Sequence, residues 1–251
     1  EMKQLVRDNG LEAGFQRKEI AVLYRSNAQS RVIETALFNA AMPYRVYGGL
    51  RFFERAEIKH ALAYLRLLEN PNDDTSFLRV VNFPPRGIGA RSIEQLQDAA
   101  RASGRSLAQS VGAVAGKAGL NLQAFVRLLD EARTRTQGLT LREIIEHILH
   151  ASGLLDFYKT EKEGQDRIEN LEELVNAAES FVTQEGFGKD AVALPVDEQG
   201  QAAPPVPDAE TGEIMSPLAA FLTHASLEAG DNQAQAGQDA IQLMTVHAAK
   251  G

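Results

Sequence analysis

The chain has 251 residues, 44% of them hydrophobic and 24% charged, with no cysteine and a net charge of −8. That length holds one large or two small domains of ordinary globular composition. Disulfides and cysteine-ligated zinc are excluded, no apolar run reaches the roughly 18 residues of a membrane-spanning helix, and Glu1-Met2-Lys3-Gln4 forms no apolar signal region.

Along the chain, Ile20-Ala21-Val22-Leu23-Tyr24 predicts a strand buried on both faces of a parallel sheet. Val32, Ile33, Ala36, Leu37 and Ala40 follow at helical spacing, Pro43 ends that helix, and Tyr44-Arg45-Val46-Tyr47 predicts a second strand before Gly48-Gly49. This is a βαβ unit. From Glu57 onward the pattern is helical, with one apolar stripe of Ile58, Leu62, Leu65 and Leu68, stopped by residues 70–74. A short helix is expected around Phe77–Val81. Ser92 with Gln95 three residues later predicts a capping box opening the next helix. Further helices are expected near 106–114, 121–136, 140–151 and 166–183, and no strand between 55 and 240. Residues 186–215, rich in Pro, Gly and acids, read as a flexible loop. Ser216-Pro217 restarts a helix, and Ile241–Val246 reads as a strand returning to the first sheet. The expected fold is a partial α/β domain with a large helical insertion, mainly α overall. The opening on Glu1 and the stop at Ala249-Lys250-Gly251 suggest a piece excised from a longer polypeptide, and the lack of cysteine fits a cytoplasmic protein.

The overall acidity speaks against phosphate binding, but its distribution does not. Residues 1–92 carry 14 Lys and Arg against 10 Asp and Glu, whereas residues 186–240 carry 1 against 9. Four stretches could hold chemistry. Tyr24 to Arg31 lies where a strand gives way to a helix, a place where open α/β sheets bind ligands; Arg25 could pair with phosphate and Asn27 with a base edge, or the two could be a surface cation and a cap. Arg45 to Lys59 interleaves cations with aromatics, as single-strand binding requires, yet Phe52 and Phe53 could equally be core. Pro85-Arg86-Gly87-Ile88-Gly89-Ala90-Arg91-Ser92 could form a backbone nest for a duplex phosphate, or only a turn. Gln242 to Gly251 ends a strand with Thr245, His247, Lys250 and Gly251; it is not a phosphate-binding loop, because Gly-x-x-x-x-Gly-Lys is absent. His147 and His150 lie three apart without a carboxylate pattern that would make a metal site.

Taken in order, AVLYRSNAQSR (21–31), YRVYGGLRFFERAEIK (44–59), NFPPRGIGARS (82–92), RIENLEEL (167–174) and QLMTVHAAKG (242–251) resemble the C-terminal motor half of UvrD/Rep helicases of superfamily 1. The resemblance implies a broken RecA-like domain 2A (1–60 and 235–251) around a helical domain 2B (61–234). It implies single-strand contacts by Arg25, Asn27, Arg51, Thr245 and His247, and duplex contacts by Arg86, Gly87, Ile88, Gly89, Arg91 and Ser92. Lys250 and Gly251 would couple to the nucleotide cleft. It further implies ATP and Mg²⁺ as cofactors of the intact protein, none of them held by this chain alone. The expected partners are single-stranded DNA, a duplex junction and repair proteins, and the expected chain is monomeric and inactive by itself. His60 departs from the family, which usually has Asp after Glu-Ile-Lys. A stand-alone duplex-binding or protein-docking module would need a parent without a motor, and a recombination nuclease would need a nuclease domain downstream. An ordinary α/β enzyme with a helical lid would need catalytic residues that the sequence does not offer.

Overall fold

The computed structural model describes residues 16–162, 164–187, 191–194, 215–230 and 238–250. Its three strands, β1 (Ala21–Tyr24), β2 (Tyr44–Tyr47) and β3 (Ile241–Thr245), form one parallel sheet in the order β1-β3-β2. The last strand in the chain is therefore the middle one. β3 pairs Gln242 with both Ala21 and Arg45, and Leu243 with both Val22 and Val46. Helix α1 (Ser30–Asn39) links β1 to β2 and seals one face with Ile33 and Leu37, against Tyr24, Tyr44, Val46, Ile241 and Leu243. The expectation of a strand buried on both faces is corrected for β1. It is an edge strand, Ala21 is exposed and Leu23 is 53% exposed, because the described helices cover one face only.

The helical body has a second, larger core. Helix α2 (Ala56–Glu69) runs through its centre. The predicted stripe of Ile58, Leu62, Leu65 and Leu68 is buried, and so are Ala61, Tyr64 and Leu67 on other sides, because α2 is wrapped by neighbours. A helix apolar nearly all round belongs inside. Around it lie α3 (Asp74–Val80), α4 (Ala90–Ser103), α5 (Leu107–Ser110), α6 (Gly116–Arg135), α7 (Leu141–Ala151), α8 (Leu154–Lys159), α9 (Gly164–Gln184) and α10 (Pro217–Gly230). Side chains set their starts: Asp73 caps α3, Ser106 caps α5, Thr140 caps α7, and the Ser216 hydroxyl accepts from Ala219 N at 3.0 Å.

Several expectations fail locally. Helix α4 starts at Ala90 with Gly89 as N-cap; Ser92 sits inside the first turn and gives its N–H to Gly89 O, so the Ser92–Gln95 capping box does not form. Helix α8 has no predicted counterpart. Residue 60 lies within the unbroken α2, and Phe52, Phe53 and Ile58 share the helical core. Within the expected loop 186–215, Val192 bridges to Thr140 and Ala193 is fully buried, its N–H donating to Leu139 O and its carbonyl accepting from Leu218 N. The rest of that stretch, apart from Gly186, Phe187, residues 191–194 and Met215, lies outside the described residues.

Candidate nucleic-acid interface

Parallel pairing fixes where the first cleft must be. Tyr24 and Thr245 are register partners at the carboxyl ends of β1 and β3, and Val246 N donates to Tyr24 O at 2.9 Å. The chain therefore leaves both strands side by side. The segment after β1 is pinned by Gln29, whose Oε1 accepts from Arg25 N (3.0 Å) and Ser26 N (3.2 Å). The segment after β3 turns through a short 3₁₀ helix, Ala248–Lys250, closed by Thr245 Oγ1 accepting from Ala248 N at 3.1 Å. Between them opens a cleft of about 540 Å³ lined by Arg25, Asn27, Thr245 and His247, with Asp166 and Glu169 of α9 also on its wall. Arg25, Asn27 and His247 are exposed, and the Arg25 guanidinium has no ion-pair partner among the described residues. A free cation, amide and imidazole beside the ends of two parallel strands can bind a backbone phosphate and a base edge together. Gly48 explains the Gly-Gly after β2: it has φ +75°, and a Cβ there would stand 2.7 Å from the Ala248 Cβ. The loop after β2 thus presses directly on the turn that carries Lys250, which is exposed; Gly251 lies outside the described residues.

Arg51, expected to contact single strands, does not face this cleft. It is 3% exposed; Nε donates to Glu54 at 3.0 Å, while Nη1 and Nη2 donate to the carbonyls of Glu228 and Ala229 at the end of α10. Burial among these neighbours makes it a clamp between segments rather than a surface cation. Phe52 and Phe53 are core, as the alternative reading had it.

The Gly-Ile-Gly loop is likewise divided. Arg86 turns inward: its guanidinium donates to Val80 O, Pro84 O, Tyr64 Oη and Ser152 O at 2.7–3.1 Å and lies over the Phe125 ring at 5.1 Å. Ile88 is 2% exposed and plugs the helical core. Neither side chain is placed to touch a duplex. The backbone is partly spent too, since Asn82 Oδ1 accepts from both Arg86 N (2.8 Å) and Ile88 N (3.1 Å). Gly87 takes φ +70° beside the Asn121 amide, which donates to Arg86 O. Gly87, Gly89 and Arg91 are exposed and Ser92 is half-buried; Arg91 has no ion pair among the described residues. An N-terminus of a 14-residue helix with a free Arg still suits a phosphate.

The model of the UvrD-like helicase C-terminal domain matches residues 1–251. The chain belongs to that family. It is 46% identical to DNA helicase II of Escherichia coli over 93% of this chain and 30% of that protein. DNA helicase II of Haemophilus influenzae is 43% identical over 96% of the chain and 31% of its own length. The ATP-dependent DNA helicase PcrA of Bacillus subtilis is 37% identical over 93% and 30%. The chain thus spans about 30% of the length of these relatives.

Within this UvrD-like domain the residues missed by sequence reasoning are the buried polar ones joining sheet and helices. Arg55, 7% exposed, donates Nη1 to Asn27 O and to Asn170 Oδ1, both at 2.8 Å, and Nη2 to Ser30 Oγ at 2.6 Å. Glu34 accepts from Ser30 Oγ and from Phe52 N. Burial pushes the Glu34 carboxyl above its ordinary range and the Arg55 guanidinium below its own. Glu57 accepts from Asn170 Nδ2 at 2.7 Å and pairs with Arg167 at 3.3 Å. A signal exists for them: Arg55, Glu57, Arg167 and Asn170 all lie in the FFERAEIK and RIENLEEL stretches, where polar residues occur amid apolar helical repeats. His60 stacks on Phe83 at 3.9 Å and approaches Tyr158 Oη at 3.3 Å; burial, then Arg79 and Arg167, lower its pKa to about 4. The ring is thus neutral beside two arginines.

Proposed function

We propose that this chain is part of an ATP-driven 3′-to-5′ DNA helicase of DNA repair and replication, in which it provides DNA contacts rather than the hydrolytic site. Residues up to about 60 and from about 235 would form part of domain 2A, and the helices between them domain 2B, with α2 as a continuous element across the junction. The observation that carries this reading is the cleft at the ends of β1 and β3, which gathers Arg25, Asn27, Thr245 and His247. Single-stranded DNA would run along it with phosphates on the Arg25 and His247 side, since Asp166 and Glu169 repel them from the other wall. Gly87, Gly89, Arg91 and Ser92 would meet the duplex ahead of the strand junction, largely through backbone and phosphate.

The phosphate-loop pattern is absent from the sequence, and among the described residues no group of His, Asp or Glu suits a metal ion. ATP and Mg²⁺ are therefore assigned to other parts of the full-length protein, with Lys250 and Gly251 on the path towards them. In the full-length protein, Arg25→Ala with Asn27→Ala should weaken single-strand binding by roughly tenfold and flatten its salt dependence by about 0.7 in the log–log slope. Unchanged affinity and slope would reject the cleft as the strand site. On the same reading the isolated chain hydrolyses no ATP, and DNA-stimulated turnover by it would overturn that assignment.

A further inference from the structure

We propose that Arg55 and Asn170 are positioning residues for the strand-contact loop: Arg55 holds the main chain at Asn27, and Asn170 of α9 holds Arg55. This rests on the reading of Arg25 and Asn27 as DNA contacts.

The geometry is a relay with few alternatives. The Asn27 carbonyl accepts from Arg55 Nη1 at 2.8 Å, so the loop is fixed from beneath while the Asn27 side chain stays exposed. Arg55 is itself fixed on three sides, by Ser30 Oγ, the Leu50 carbonyl and Asn170 Oδ1. Its carboxylate neighbour, Glu34, is 3.9 Å away and engaged by Ser30 and Phe52 N, so it supplies charge more than direction. Direction comes from the Asn170 amide, which is 4% exposed and oriented by donating its Nδ2 to Glu57. An amide whose nitrogen is occupied presents its oxygen to Arg55 in one orientation only. The loop that meets the strand is thereby tied to α9, a helix of the inserted region whose Asn170 lies 115 positions beyond Arg55. The same helix packs on the segment Asn27–Gln29. A shift of α9 would reach Asn27 through two hydrogen bonds.

The test is a thermodynamic cycle in the full-length protein, read by anisotropy of a fluorescein-labelled oligothymidylate and of a labelled blunt duplex. Asn170→Ala should weaken single-strand binding about five- to tenfold, the scale of one or two lost hydrogen bonds, with duplex affinity unchanged. In the Arg25→Ala/Asn27→Ala background the same change should cost less than about twofold, because a positioning residue acts only through what it positions. Arg55→Lys, which keeps the charge but not the fork, should behave like Asn170→Ala. If Asn170→Ala weakens single-strand and duplex binding alike, or weakens single-strand binding equally in both backgrounds, the residue is merely structural and the proposal is overturned. If the loop variant weakens binding while Asn170→Ala and Arg55→Lys do not, the relay alone fails. If the loop variant itself has no effect, the strand-site reading fails and takes the relay with it.

Discussion

Replacing Arg86 separates a folding role from a DNA role. Its guanidinium donates to three carbonyls and the Tyr64 hydroxyl, and it lies over the rings of Tyr64 and Phe125. Arg86→Gln removes most of these bonds and strands the acceptors at Pro84 and Ser152, while Val80 O keeps the N–H of Phe83. A charged hydrogen bond contributes on the order of 1.5–3 kcal/mol, but bonds from one guanidinium are not additive, so a net loss of about 3 kcal/mol is expected. For a domain of this size that corresponds to a fall in Tm of roughly 6–12 °C. Circular dichroism melts would measure it. Below the transition, duplex affinity of the Arg86→Gln protein should keep its salt slope, whereas Arg91→Ala should keep its Tm and lower that slope by about 1. An unchanged Tm for Arg86→Gln together with a reduced salt slope would show that Arg86 meets phosphate and that the inward geometry is not the working one.

Other outcomes follow from single contacts. Asn82→Ala leaves Arg86 N and Ile88 N without their shared acceptor and should destabilise by about 1–2 kcal/mol in urea melts, with Asn82→Asp restoring the loss; no rescue by Asp would contradict the acceptor role. Gly48→Ala meets both a positive φ and the Ala248 Cβ, and should cost upwards of about 1–2 kcal/mol while disturbing the turn before Lys250; a neutral substitution would refute that close approach. His60 has a folded pKa near 4 against about 6.5 unfolded, so it stabilises the neutral-pH fold and that contribution is lost as pH falls from about 6.5 to 4. The loss is at most about 3 kcal/mol, and His60→Gln should remove this part of the acid-side decline; an identical pH profile would refute it.

The pattern-bearing parts of the fold are readable in the sequence. The βαβ unit, the stripe on α2 and the helices at 116–135, 141–151 and 164–184 follow from apolar spacing, which local sequence records directly. What escapes depends on neighbours. Leu23 looks like a buried strand residue, but strand position in a sheet is decided by where β3 inserts, much later in the chain. Ser92 has the spacing of a cap, yet Asn82 and Gly89 fix the loop so that the helix starts three residues earlier. Arg25, Asn27, Thr245 and His247, from two motifs far apart in the chain, line one cleft together. The motifs do not tell which of their arginines face outward. Arg25 and Arg91 do; Arg51, Arg55 and Arg86 are held by carbonyls and side chains from distant helices, contacts that spacing along the chain does not encode.

The most direct test of the central claim is photocrosslinking of the full-length protein to single-stranded DNA carrying 4-thiothymidine, with mass spectrometry of the adducts. Crosslinks concentrated in the peptides holding residues 25–29 and 245–247, and lost when Arg25 and Asn27 are both alanine, are the predicted result. Adducts confined to other segments, with these two peptides unmodified, would contradict the account.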